Sequence, residues 1–178
     1  EASLTDTVAD LDSGDASRRN VTAAVVASGA WAGHLVDGLY LDTLGRPADT
    51  AGREYWVSRL VSGTPVSRVT ASFRSSPEYH ARSGGTLDAW VEALYRATVG
   101  RPGAPAERAW WVERAEEQGP GWVALRIYRS PEGAAVRVRD AYRDLLGRSP
   151  STADVAHWGP RMLDDGEITV AVELTVSA

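Results

Sequence analysis

The feature that most constrains this chain is a phrase that occurs three times: LYLDTLGRP from Leu39 to Pro47, LYRATVGRP from Leu94 to Pro102 and AYRDLLGRSP from Ala141 to Pro150. Tyr40, Tyr95 and Tyr142 anchor the copies at spacings of 55 and 47 residues, and each is followed at one constant offset by Gly45-Arg46, Gly100-Arg101 or Gly147-Arg148. Repetition at this period marks a stacked fold, because one short unit cannot bury its own apolar face. The likeness continues past the glycine. Tyr55-Trp56, Trp110-Trp111 and His157-Trp158 stand at matching offsets, and Ser76-Pro77-Glu78 recurs as Ser130-Pro131-Glu132, with Ser28-Gly29-Ala30 in the corresponding place ahead of the first copy. Twelve residues separate Ser28 from Tyr40 and Ser130 from Tyr142, whereas nineteen separate Ser76 from Tyr95, which places an insertion near Ser83-Gly84-Gly85.

The periodicity within each copy is helical. Val36, Leu39, Tyr40 and Leu44 share one face and run into Gly45, a natural helix exit; Val91, Leu94, Tyr95 and Val99 repeat this before Gly100, and Val138, Tyr142, Leu145 and Leu146 before Gly147. A turn then leads to a second helix, capped by Asp49 in the first copy and by the reciprocal Ser151 and Asp154 pair in the third, while Ala104 offers no acceptor and needs another solution. Trp56 with Leu60, Trp111 with Ala115 and Trp158 with Met162 form the inward stripe. A third helix is expected after Ser62-Gly63, with Thr64 as cap, Pro65 in the first turn and Val66, Val69 and Phe73 buried. Its counterparts carry Val123 and Ile127, and at the front Val21 and Val25 with Asp15 as cap. The stretch Ile168 to Val176 is rich in β-branched residues, but its place in the repeat favours helix. The expected fold is all-α: a compact array of about three helical repeats with partial repeats at the ends. The 178 residues read as one repeat-built domain, with a partial repeat over 11–31, full repeats over 32–79 and 86–132 and a C-terminal repeat over 133–176. A closed bundle and a short solenoid both satisfy this pattern.

Composition narrows the chemistry. A formal charge of -5 with no long basic block argues against nucleic acid as a partner. Zero cysteines remove disulfides and thiolate metal sites but leave the compartment open. No apolar run reaches the roughly 18 residues of a membrane span. The chain has neither an initiating Met nor a signal-like segment, which reads as a processed chain or one domain of a larger polypeptide.

With Leu44-Gly45-Arg46, Asp49-Thr50-Ala51-Gly52, Tyr55-Trp56 and the Ser-Pro-Glu phrases in place, the chain resembles the bacterial repeat family catalogued as domain of unknown function 4214. The first copy, Leu39 through Tyr79, matches best, and the likeness extends over roughly residues 11 to 176. The second copy departs at Ala104, and the third at His157. The resemblance implies a helical module of secreted or surface-associated bacterial proteins, often beside adhesin, calcium-binding or hydrolase domains, with a distant similarity to phycobilisome linkers. It brings no catalytic residues.

No catalytic constellation is legible. His34, His80 and His157 lack metal-ligand spacing, Glu113, Glu116 and Glu117 share one helix surface, Asp164 and Asp165 lie near a turn, and Asp42 and Asp49 fall short of a calcium loop. No metal and no cofactor is expected. Arg46, Arg101 and Arg148 either close helix ends or make a repeated anion or glycan contact, and exposure separates the two readings. Tyr40, Trp56, Phe73, Tyr95, Trp111, Tyr142 and Trp158 are the expected core, and Trp31, Trp90, Trp110, Trp122 and His157 the aromatics expected at the surface. The leading expectation is a noncatalytic accessory or interaction module of a secreted or cell-surface bacterial protein, contacting a cell-envelope protein or a glycan. The alternatives are a carbohydrate-binding module of an adhesin or secreted enzyme, and a small hydrolase whose acidic pair is assembled by the fold.

Overall fold

The computed structural model describes residues 28–177 together with Ala24. The expected partial repeat over 11–31, with Asp15, Val21 and Val25, lies outside the described residues except for 24 and 28–31. The described elements are all helices: α1 (Gly29–Leu39), a π-helical turn (Tyr40–Leu44), α2 (Thr50–Val61), α3 (Val66–Arg74), α4 (Pro77–Arg82), α5 (Leu87–Thr98), α6 (Pro105–Gln118), α7 (Pro120–Tyr128), α8 (Pro131–Leu146), α9 (Thr152–Asp164) and α10 (Gly166–Ser177). The stretch from Ile168 to Val176 is therefore helical despite its β-branched residues. None of these helices is long and apolar enough to cross a membrane.

Each glycine phrase closes a helix. Gly45, Gly100 and Gly147 adopt φ of 66°, 74° and 62°. A side chain at such an angle crowds the following carbonyl, so glycine turns the chain there at little steric cost. In the first phrase the last turn widens into the π-helical segment, which buries Tyr40, Thr43 and Leu44. The insertion near Ser83-Gly84-Gly85 shows its effect by comparison. The third phrase ends one unbroken helix, α8, that began at Pro131. The second ends a stretch divided into α4 and α5 by a turn in which Gly84 and Gly85 have φ of 105° and 72°.

Caps follow from local chemistry. The hydroxyls of Ser28, Ser76 and Ser130 accept from the amides of Trp31, Tyr79 and Gly133, and Pro77 and Pro131 occupy the first helical turn, where a missing N–H costs nothing. Asp49 accepts from the Gly52 amide at 2.8 Å, and Ser151 and Asp154 exchange bonds of 3.1 and 2.8 Å. At α6 the carboxylate of Glu107 accepts from the Ala104 amide at 2.8 Å, supplying the acceptor that Ala104 lacks. The start of α3 departs from expectation. Pro65 has ψ of 139° and stays outside the helix, its carbonyl accepting from the Arg68 and Val69 amides. Thr64 gives α3 no side-chain cap because the chain is still completing the preceding turn there, its amide donating to the Arg59 carbonyl at 2.9 Å.

Helices α1, α5 and α8 pack on α2, α6 and α9 respectively, while α3 packs on α7 and α10 on α8 and α9. One buried cluster runs from Ala32 to Ile127 and includes Val36, Val69, Phe73, Trp90, Leu94 and Val123. A second joins Ala134, Val138, Tyr142, Trp158, Met162, Val170 and Leu174. Ile168 of α10 packs against the first cluster and so bridges the two. Leu145, expected on an inward stripe, is instead 44% exposed. It sits in the last turn of α8 on the solvent side, while its neighbour Leu146 packs against the second cluster.

Candidate functional site

The recurring polar groups converge on one arrangement, built where each glycine phrase leaves its helix. The positive φ of the glycine turns the next arginine back across the ring of the anchoring tyrosine. Arg46 lies 5.1 Å from the centre of Tyr40, Arg101 5.2 Å from Tyr95 and Arg148 4.9 Å from Tyr142. The tyrosines themselves are buried, at 5%, 6% and 3% exposure. Trp111 Nε1 donates to the Tyr95 hydroxyl at 2.8 Å, and Trp158 Nε1 to the Tyr142 hydroxyl at 3.0 Å, which fixes both rings. In the first phrase Tyr40 packs edge-to-face on Phe73 with centroids 4.9 Å apart, and Trp56 packs on the same ring at 5.2 Å.

What holds each guanidinium differs. Arg46 donates through Nε and Nη2 to both carboxylate oxygens of Glu78, at 2.7 and 2.9 Å. Arg101 does the same to Glu132 at 3.1 and 2.8 Å, and also grips both oxygens of Glu107 at 2.9 Å. Among the described residues Arg148 has only the rim of Asp154 at 3.8 Å and the Ser149 carbonyl at 3.5 Å. Arg46 has Asp49 at 3.8 Å as well, so exposure of the side chain follows the count of hydrogen-bonded carboxylates: 38% for Arg101 with two, 43% for Arg46 with one and 58% for Arg148 with none. The pairing also shows in acidity. Arg101 together with the Ala104 amide pulls the Glu107 carboxyl down to about 2, and Arg46 holds Glu78 below the usual carboxylate range. Asp154 is lowered chiefly by the Ser151 backbone amide, with Arg148 the weakest contributor.

Glu78 and Glu132 belong to the Ser-Pro-Glu phrases, whose reading from sequence is that of helix starts alone; their second role as arginine partners is new. The signal was present in the near-constant separation of 32 and 31 residues from Arg46 and Arg101. A second missed set of ion pairs joins α1 to α2 and α5 to α6: Arg53 meets Asp37 at 2.9 Å, and Arg108 meets Glu92 at 3.6 Å and Asp88 at 2.9 Å.

The aromatic residues divide differently from their expected division. Trp90 is fully buried, not exposed, and its Nε1 donates to the Arg74 carbonyl at 2.7 Å. Its place one position before Val91 puts it on the inward face of α5, where the short α4 and the end of α3 close over it. Trp31 and Trp122 are half-buried and pack against the first cluster, so neither is a free surface ring. Trp110 is 47% exposed, and His157 and Tyr55 are exposed at the same offset. Each stands nearly perpendicular to the tryptophan that follows it, with centroids 4.5 to 4.9 Å apart. Phe73, Tyr40, Tyr95, Tyr142 and Trp158 are buried, whereas Trp56 and Trp111 are half-buried with one side on the core.

His34 is exposed, and His80 sits 6.5 Å from the Trp90 ring. Glu113 and Glu117 both pair with Arg114 at the surface of α6. Among the described residues no three histidines or carboxylates come together in a way that would hold a metal ion. A groove of about 750 Å³ between α6, α7 and α9 is lined by Trp111, Trp122, Arg126, Arg129 and Asp164, with the Arg126 guanidinium 4.9 Å from the Trp122 ring. Aromatic faces beside a charged donor and a charged acceptor suit a polyhydroxylated ligand.

Residues 29–83 match the family model described as Domain of unknown function (DUF4214). No curated protein matches the chain, and no solved structure does.

Proposed function

We propose that this chain, whose residues 29–83 match the DUF4214 family model, acts as a noncatalytic helical interaction module. In this reading the tyrosine–arginine–glutamate contacts at Arg46 and Arg101 each close a repeat, tying its first helix exit to the helix that opens with Ser-Pro-Glu near its end. The observation that carries it is the use of the recurring polar groups. Arg46 and Arg101, which a ligand site would need free, already have their donors on Glu78, Glu132 and Glu107. The motif thus stiffens each unit, and binding falls to surfaces that vary between copies. The family resemblance supports a secreted or cell-surface bacterial setting within a larger polypeptide, with a cell-envelope protein as partner.

A second reading, a carbohydrate-binding module, draws on the groove lined by Trp111, Trp122, Arg126 and Asp164. One experiment addresses both. The intact chain is screened against glycans and isolated envelope fractions, then rescreened as Trp122→Ala and Trp110→Ala. Saturable glycan binding lost in Trp122→Ala favours the groove. Saturable binding of an envelope protein that survives Trp122→Ala favours the interaction module. Turnover of a hydrolase substrate above background overturns the noncatalytic reading.

A further inference from the structure

Charge on the described surface is unevenly neutralised. Arg53, Arg101, Arg108 and Arg161 each hold a carboxylate within hydrogen-bond reach. Arg59, Arg68, Arg126 and Arg129 are exposed and, among the described residues, stand in no ion pair. All four line one connected face. A hollow of about 270 Å³ between α2, α3 and α7 takes in Tyr55, Arg59 and Arg68. One of about 430 Å³ between α3, α7 and the turn from α9 to α10 takes in Arg68 and Arg129, and the groove of about 750 Å³ beside Trp111 and Trp122 takes in Arg126 and Arg129. Leu125 lines all three, so they meet along the outer side of α7. From Gly121 to Arg129 that side runs about 12 Å along the helix, longer than one sugar ring. The face draws on helices of all three repeats. Countercharge is scarce on it: Asp165 and Glu167 are taken up by Arg161 and Arg137 at 3.2 and 3.1 Å. Asp164 is the one lining carboxylate that stands in no ion pair among the described residues. Four unpaired guanidiniums against one carboxylate make a positive face on a chain whose formal charge is -5.

We infer that this face binds an acidic polysaccharide whose sugars carry carboxylate groups, a uronate chain. The guanidiniums take the carboxylates side by side, as Arg46 and Arg101 take Glu78 and Glu132. Trp111 and Trp122 give the sugar rings flat apolar contact, and Asp164 accepts from their hydroxyls. Other occupants fit less well. An apolar helix would bury the four guanidiniums without partners, at a cost that its own burial would not offset. A phosphate backbone supplies acid groups but no donor for Asp164, whereas every sugar ring carries hydroxyls. The inference rests on the carbohydrate-binding reading and names the class of glycan.

The test is calorimetric titration of the full chain with a galacturonate hexamer and with the same hexamer methyl-esterified, which keeps the sugars and removes the charge. The acidic hexamer is expected to bind saturably, more weakly as salt is added because the guanidiniums are exposed, and about tenfold or more tighter than the ester. Arg68→Gln and Arg126→Gln each lower its affinity about tenfold, the scale of one charge-assisted hydrogen bond. Arg139→Gln, at an exposed arginine of α8 outside the three hollows, leaves it unchanged. No saturable binding of the acidic hexamer at low salt overturns the inference, as do unchanged affinity in both variants or an equal loss in Arg139→Gln. Hexaglutamate or a thymidine oligonucleotide of equal charge binding as tightly also overturns it, since the face would then read charge and not sugar. Equal binding of the two hexamers, lost in Trp122→Ala, overturns the acid requirement and leaves the carbohydrate-binding reading standing. Failure of every glycan in the wider screen removes both.

Discussion

Arg101 and Glu132 stand 31 residues apart yet face each other through two parallel hydrogen bonds of 3.1 and 2.8 Å. One residue leaves a helix through a glycine turn and the other opens the helix α8, so a single ion pair ties the exit of one helix to the entry of another. Arg46 and Glu78 repeat the relationship at 2.7 and 2.9 Å. Both pairs are exposed, and exposed pairs contribute little to stability one at a time because water and salt screen them. Their value lies in direction: a planar guanidinium meeting a carboxylate side by side fixes the angle between the elements that carry them.

The three arginines are therefore expected to rank by the carboxylates they hold. Thermal unfolding of Arg101→Gln, Arg46→Gln and Arg148→Gln lowers Tm in that order, with Arg148→Gln close to the unaltered chain. A loss for Arg148→Gln as large as that for Arg101→Gln would show that stacking on tyrosine, common to all three, is the dominant contact.

Stability in acid is expected to report on Glu107. Its carboxyl titrates at about 2 in the folded chain, against an ordinary value of 4.5. A group depressed on folding stabilises the fold above its unfolded value, and that contribution is lost as pH falls toward the folded value. The Tm of the unaltered chain should drop between about pH 4.5 and pH 2, and Glu107→Gln should flatten part of that slope while lowering Tm at pH 7. Parallel curves for the two proteins across this window would refute the assignment.

Two tryptophans separate core from surface. Trp90→Ala removes a fully buried indole and leaves the Arg74 carbonyl without its donor, a loss of about 3–5 kcal/mol in denaturant unfolding. Trp110→Ala, at a ring 47% exposed, should cost no more than about 1 kcal/mol. Similar losses at the two positions would contradict the placement of α5 and α6.

Backbone and packing contributions at the helix exits separate in a pair of glycine variants. Gly147→Ala places a methyl group more than 4 Å from any described residue outside its own turn, at φ of 62°, and should cost about 1–2 kcal/mol from left-handed backbone strain alone. Gly45→Ala has a similar φ but must also displace the Arg82 guanidinium, which its methyl group would overlap, so it should lose more in the same urea titration. Equal losses would mean that Arg82 moves aside freely.

Helix content was legible because its causes are local. The stripes at Val36 and Tyr40, Val91 and Tyr95, and Val138 and Tyr142, the serine caps before proline and the glycine exits all act within a few residues, and each appears at the expected position. Pro65 failed as a helical residue because the preceding turn, not its own propensity, set its ψ. Trp90 could not be placed from sequence, since on a short helix its neighbours Val91 and Leu94 also read as core, and the closure of α3 and α4 over it is a matter of packing between elements. The pairing of Arg46 with Glu78 left a trace in constant spacing, but spacing alone does not separate a helix-starting glutamate from one that holds an arginine.

The sequence by itself determined that this protein is built of helices with a common tyrosine, glycine, arginine and tryptophan pattern, since periodicity, capping and backbone angle are properties of short segments. Only the tertiary structure decided which of the three arginines are occupied. That depends on whether a second helix, some thirty residues on along the chain, reaches the turn, as α4 does at Arg46 and α8 at Arg101.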